Sequence, residues 1–249
     1  MSEAPPDYGL RVFDDPERVA AAAAARIAEL AAAAADERGA FSIALSGGST
    51  PRRVYELLAG REFAGRVDWA GAHVFFGDER AVPADHPDSN YRMANEALLS
   101  RVPVPGRNVH RIEGVGDAAA NASAYESEMR GHFGEDAAWP RLDLVLLGMG
   151  DDGHTASLFP HTAALDERRL WVAANWVGKL GAWRVTLTAP AVNAARNVLF
   201  LVSGAGKAER LREVLRGERD PARLPSQLIR PAGGALEWFV DRAAASGLE

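Results

Sequence analysis

The segment LGMGDDGHTASLFP, Leu147 to Pro160, holds the densest set of reactive side chains in the sequence. Asp151, Asp152 and His154 stand among Gly148, Gly150 and Gly153, directly after the apolar run LDLVLL. An imidazole titrates near neutrality, so a histidine in such a loop is suited to general-base work. The alternative is a histidine that only caps or orders the loop. The formal G-x-G-x-x-G does not read as a dinucleotide site. A helix opening near His154 meets Pro160 after about two turns. No second strand ends in an acidic residue about twenty positions on, where a ribose partner would stand.

Three other groups of residues have chemical potential. Ser46-Gly47-Gly48-Ser49-Thr50-Pro51 follows a strand-like run and opens a helix-like one. Gly47 and Gly48 let a ligand approach the backbone, Ser49 and Thr50 supply hydroxyls, and a helix start supplies free N–H groups, which together make a phosphate cradle. A tight turn with an N-cap would select similar residues. No Gly-Lys-Ser/Thr follows, so this is not a Walker loop. Asp78, Glu79 and Arg80 lie at the end of the VFF run, as a site or as a solvated loop. Arg184 and Lys207 could each neutralise a phosphate or stand as surface charges.

The chain has 249 residues and no cysteine, which excludes disulfides, thiolate nucleophiles and cysteine-ligated metals. His73 opens a strand, His86, His110 and His132 fall in loops or at helix ends, and His161 trails Pro160. No histidine pair has the spacing of metal ligands, so no metal centre is expected. A net charge of −6 argues against a broad nucleic-acid surface but leaves room for one basic pocket. The amino terminus lacks the basic and apolar regions of a secretory signal. The alanine-rich stretch from Val19 to Ala35 is interrupted by Arg26 and Glu29 and is too weakly apolar to span a bilayer. A cytoplasmic protein with no membrane partner is expected.

These residues need a scaffold, and the pattern supplies one. Asp14 or Asp15 caps a helix with Pro16 in its first turn, which runs through the alanine tract to about Arg38 and stops at Gly39. Strands are predicted at Phe41–Ser46, Ala72–Gly77, Leu142–Gly148, Trp183–Thr188, Asn197–Ser203 and Leu236–Val240. Helices are predicted from Thr50 to Leu58, Ser89 to Leu99, Asp117 to His132 and Ala205 to Arg216. Apolar strands alternating with helices indicate an α/β fold, a Rossmann-like, mainly parallel sheet flanked by helices on both faces. The whole chain, 1–249, reads as one domain. Ligands of such sheets bind beyond the carboxyl ends of the strands, which selects the loops after Ser46, Gly77, Gly148 and Ser203.

Four blocks, SGGSTPRRVYELL, FFGDERAVPADHPDSNYRMANEALL, LDLVLLGMGDDGHTASLFP and RVTLTAPAVNAARNVLFLVSGAGKA, closely resemble successive blocks of the 6-phosphogluconolactonase family. They cover the chain from about Phe41 to Leu215, in the family's order. The resemblance implies the fold of the sugar-phosphate isomerase and deaminase relatives. It implies hydrolysis of 6-phospho-D-glucono-1,5-lactone, the second step of the oxidative pentose phosphate pathway, with a sugar-phosphate lactone as the partner and no metal or organic cofactor. By position, His154 matches the base that activates water, with Asp152 orienting it. Asp78 and Arg80 match an acidic-basic pair lining the pocket. Gly47, Gly48, Ser49 and Thr50 match the phosphate loop, and Arg184 and Lys207 match basic residues that hold the sugar phosphate. A monomer is expected.

The nearest competing family is the amino-sugar-phosphate deaminases/isomerases, which share the glycine loop and the Asp-Gly-His element. They carry a catalytic glutamate where this chain has Phe159 and a tyrosine where it has Arg80. A non-catalytic sugar-phosphate sensor would carry a DNA-binding module, for which the roughly forty residues before Phe41 leave little room.

Overall fold

The computed structural model describes residues 8–248. The amino-terminal residues read above for a secretory signal lie largely outside them. Among the described residues, nine strands form two sheets. The larger holds β1 (Gly9–Phe13), β2 (Phe41–Leu45), β3 (Ala72–Phe76), β5 (Leu144–Gly148), β8 (Asn197–Val202) and β9 (Ala235–Asp241) in the order β1-β9-β8-β5-β2-β3. Every neighbouring pair in it is parallel. The smaller sheet, β4 (Asp78–Arg80), β7 (Ala182–Leu187) and β6 (Val172–Val177), is antiparallel.

The main helices are α1 (Pro16–Arg38), α2 (Ser49–Leu58), α3 (Asn90–Ala97), α4 (Ala118–Phe133), α5 (Ala189–Asn193), α6 (Ala208–Arg216) and α7 (Arg242–Ala245). The cap of α1 is as the sequence predicts. The Asp15 carboxylate accepts from the Arg18 N–H, Pro16 takes a position that needs no donor, and Gly39 ends the helix in the left-handed region. The alanine tract is ordinary helix. Val19, Ala20, Ala23, Ala24, Ile27, Ala31 and Ala34 recur at helical spacing and are buried, and their small side chains let α1 lie close to the sheet. No helix among the described residues is long and apolar enough to cross a membrane.

β2 is where the strand order reverses, because β3 lies on one side of it and β5 on the other. Loops leaving β2 and β5 diverge there and open a crevice beyond their carboxyl ends. β2 and β5 are buried on both faces, which explains their continuous apolar runs.

Two expectations need correction. The Trp183–Thr188 segment is a strand, but it belongs to the antiparallel sheet rather than the parallel one. The residues after Gly148 form turns rather than a helix, with a single bridge between Thr155 and Leu158. Gly153 (φ 82°) and Ala156 (φ 46°) both occupy the left-handed region and interrupt helical geometry.

Candidate active site

All four loops selected from the sequence border one cavity of about 300 Å³. Gly47, Gly48, Ser49 and Thr50 line it from the β2 side, Asp78 and Arg80 from β4, Gly150 and His154 from the loop after β5, and Ser203 and Lys207 from the loop after β8. Asp152 stands behind His154 rather than on the wall. Arg184 also lies off the wall, on β7, opposite Arg80 in the β4–β7 ladder.

Two buried tyrosines fix the carboxyl ends of the strands. The Tyr55 hydroxyl donates to the Ser46 carbonyl at 2.8 Å and accepts from the Ser46 N–H at 3.0 Å. Tyr125 does the same at Phe76, accepting from N–H at 2.8 Å and donating to the carbonyl at 3.2 Å. Each hydroxyl thereby satisfies both backbone groups of a residue that has reached the end of its ladder.

The glycines of the first loop have distinct reasons. A Cβ on Gly47 would fall 2.0 Å from the Asn90 side-chain oxygen, and Gly48 has φ 110°. Gly48 stands at the start of α2, where no side chain caps the helix. The N-cap is Gly48 itself, so neither the Ser49 nor the Thr50 hydroxyl is taken up in capping the helix. The first intrahelical bond runs from the Arg52 N–H to the Gly48 carbonyl. The N–H groups of Ser49 and Thr50 thus lie before it, at the positive end of the helix dipole. Gly204, before Lys207, likewise starts its helical turn without a side-chain cap.

Gly150 belongs to the histidine. A Cβ there would lie 2.0 Å from His154 Nδ1. Gly150 of the G-x-G-x-x-G run therefore makes room for an imidazole, whereas a Cβ on Gly153 would meet the Leu224 side chain at 2.8 Å. His154 Nδ1 stands 2.5 Å from the Asp152 carboxylate, which can only accept, so Nδ1 carries the hydrogen and Nε2 keeps the lone pair. Lys179 pairs with the other Asp152 oxygen. Phe159 stacks on the imidazole at 4.0 Å between centroids. Burial pushes His154 down to about 4, opposed by the Asp78 carboxylate and assisted by Lys207.

Asp78 is buried. Its carboxylate accepts from Ser157 Oγ at 2.6 Å and from Asn90 Nδ2 at 3.2 Å. Glu79, whose side chain turns the other way along β4, accepts from the N–H groups of Asn90 and Tyr91 and from Ser89 Oγ, tying β4 to the start of α3. Burial raises its pKa. Arg80 donates to the Asp88 carbonyl. Burial and the Arg80 guanidinium lower the pKa of Arg184. Lys207 pairs at 2.5 Å with Asp151, a highly exposed carboxylate.

Sequence reasoning missed Asn90, which lines the cavity while holding both the carbonyl and the carboxylate of Asp78. It also missed Ser46 and Ser203, whose buried hydroxyls have no partner among the described residues although both residues line the cavity. The SNYRMANEALL block held the only available signal for Asn90, its place after a serine N-cap. Sequence spacing gave no sign that His73, His110 and His132 meet in space.

The family described as "Glucosamine-6-phosphate isomerases/6-phosphogluconolactonase" matches residues 14–238. A relative from Synechocystis sp., named 6-phosphogluconolactonase, is 46% identical over 215 residues, which is 85% of this chain and 86% of the relative. One of the same name from Nostoc sp. gives the same figures. The solved structure of 6-phosphogluconolactonase from Trypanosoma cruzi superposes with a TM-score of 0.89 at 31% identity, covering 100% of this chain and 99% of that one.

Proposed function

The chain belongs to the family of glucosamine-6-phosphate isomerases and 6-phosphogluconolactonases, and we propose that it is a lactone-hydrolysing enzyme converting 6-phospho-D-glucono-1,5-lactone to 6-phospho-D-gluconate. The observation that carries this reading is one cavity with a desolvated, carboxylate-oriented imidazole and, facing it, two uncapped helix starts with Lys207.

In this mechanism the substrate phosphate sits at Gly47–Thr50, held by backbone N–H groups, the Ser49 and Thr50 hydroxyls and Lys207, with Arg184 adding field. This anchoring places the lactone C1 beside His154 and converts remote binding energy into orientation. Nε2 takes a proton from water as the water oxygen bonds to C1. Arg80 faces the carbonyl oxygen, which carries the negative charge of the tetrahedral intermediate. The C1–ring oxygen bond then breaks, and the proton on Nε2 passes to the ring oxygen, leaving a carboxylic acid that ionises in water. The Asp152 carboxylate stabilises the transient imidazolium and fixes its tautomer. Asp78 helps through its field and by holding Asn90 and Ser157 in place. A δ-lactone is an activated ester, so a positioned base worth about 10²–10⁴-fold is sufficient without a covalent nucleophile.

Phe159 counts against amino-sugar deamination, because an apolar ring stacks on His154 where that chemistry places a glutamate. The test follows loss of freshly prepared 6-phosphogluconolactone with and without the protein, beside ammonia release from glucosamine 6-phosphate. Accelerated lactone loss with no ammonia is the expected result. Ammonia release, or lactone loss at the spontaneous rate, overturns the assignment.

A further inference from the structure

His73, His110 and His132 are 22 to 59 residues apart in sequence, yet each offers a ring nitrogen within 4.8 Å of the other two. They come from three elements. His73 is the second residue of β3. His110 lies on the segment that runs beside β3, its N–H bonded to the Val74 carbonyl at 2.8 Å. His132 is in the last turn of α4. The cluster sits at the amino-terminal part of β3, and the catalytic cavity lies beyond that strand's carboxyl end, roughly 15 Å away along the chain direction.

We propose that these three histidines form a site for a divalent transition ion of the zinc class, separate from the catalytic cavity, that clamps α4 and the 109–112 segment onto β3. Zinc bound by imidazoles at about 2.0–2.1 Å in a tetrahedral site holds its ligand nitrogens about 3.3 Å apart. His73 Nδ1 and His110 Nε2 already stand 3.1 Å apart. His132 is exposed, its ring lies 4.3 Å from that of His73 between centroids, and a shift of about 1.5 Å at most brings its nitrogen to the spacing of a tetrahedral site.

The surroundings match those of a metal-binding imidazole. His110 Nδ1 stands 2.7 Å from a Glu128 carboxylate oxygen. That acceptor takes the Nδ1 hydrogen and leaves the Nε2 lone pair pointing at His73, as carboxylates do behind histidine ligands. Phe75 stacks on His110 at 4.3 Å and holds its plane. The helix end at His132 brings the negative end of the α4 dipole to the site, and the Asp143 carboxylate acts on His132 in the same sense. Arg107 opposes a cation near His73. Three imidazoles without thiolate or carboxylate ligands suit Zn²⁺ over Mg²⁺ or Ca²⁺. Water would supply the fourth ligand of such a tetrahedral site.

The test uses tag-free, EDTA-stripped full-length protein titrated with ZnCl₂ by calorimetry, with Tm as a second readout. One equivalent should bind, and Tm should rise by about 5–10 °C when free zinc exceeds the dissociation constant a hundredfold. His132→Ala, at an exposed position, and His110→Phe, which keeps a stacking ring, should each abolish that equivalent. Glu128→Gln should weaken it by about tenfold or more. His154→Ala should leave it intact, and His132→Ala should leave lactone hydrolysis unchanged. Co²⁺ in place of zinc should give the visible bands of a tetrahedral site. Absence of saturable binding overturns the proposal. So does binding that survives both His132→Ala and His110→Phe, or that is lost in His154→Ala.

Discussion

The desolvation of His154 makes a quantitative prediction for the pH profile. Only the neutral imidazole can accept the water proton, so activity falls as pH drops through the histidine's pKa. With that pKa near 4, nearly all of the free enzyme is competent at pH 6. A histidine at the ordinary value of about 6.5 would be only about one quarter neutral there. The measured quantity is kcat/KM for 6-phosphogluconolactone from pH 4 to 7.5, after subtraction of spontaneous hydrolysis, because kcat/KM reports the free enzyme. The expected curve is flat from pH 7.5 to 6 and bends down only near the acid end. Neighbouring charges give the sign of a second perturbation. Lys207 favours the neutral ring and Asp78 the protonated one. Lys207→Ala should therefore move the acid limb towards neutrality, and Asp78→Asn should move it further into acid. A wild-type curve that is half lost between pH 6 and 7, or a Lys207→Ala limb displaced towards acid, would refute the electrostatic picture of the site.

Other outcomes follow from the same geometry. Unphosphorylated gluconolactone should show a much lower kcat/KM than the phosphorylated lactone, and Lys207→Ala should weaken substrate binding by about 1.5–3 kcal/mol through loss of a charge-assisted hydrogen bond; equal kcat/KM for the two lactones would remove the phosphate loop from the account. EDTA treatment should leave kcat unchanged, because among the described residues His154 is the only histidine lining the cavity; a loss of rate restored by a divalent ion would contradict this. Tyr55→Phe strands the Ser46 N–H and carbonyl at the base of the phosphate loop, so it should destabilise the fold by about 1–3 kcal/mol in denaturant titrations and raise KM.

Much of the scaffold was legible because local rules agree with the global fold at those positions. Asp15-Pro16 and Gly39 bound α1, and the apolar runs of β2, β5 and β8 read as strands buried on both faces. The rule that ligands lie beyond strand carboxyl ends selected four loops, and all four meet at one cavity. The smaller sheet was not legible. β4 has three residues, all charged, and β6 (VAANWV) has neither a clean alternation nor a continuous apolar run. β1 is a short edge strand whose only sheet partner is β9, far along the chain. The missing site residues fail for a similar reason. Asn90 matters because it touches Gly47 and Asp78, and the three clustered histidines meet only after β3, the 109–112 segment and α4 have packed. No local pattern encodes such contacts. The G-x-G-x-x-G run shows the reverse case, a familiar spacing whose purpose emerges only when Gly150 is seen to face an imidazole.

The role of His154 as the base is tested most directly by one variant. His154→Ala should lower kcat by about 10²–10⁴-fold while leaving product-like sugar-phosphate binding and the Tm close to those of the parent. A purely structural role would instead lower Tm and leave kcat per folded molecule nearly intact. Measuring kcat and Tm on the same His154→Ala preparation separates the two, and a folded, fully active variant would contradict the mechanism.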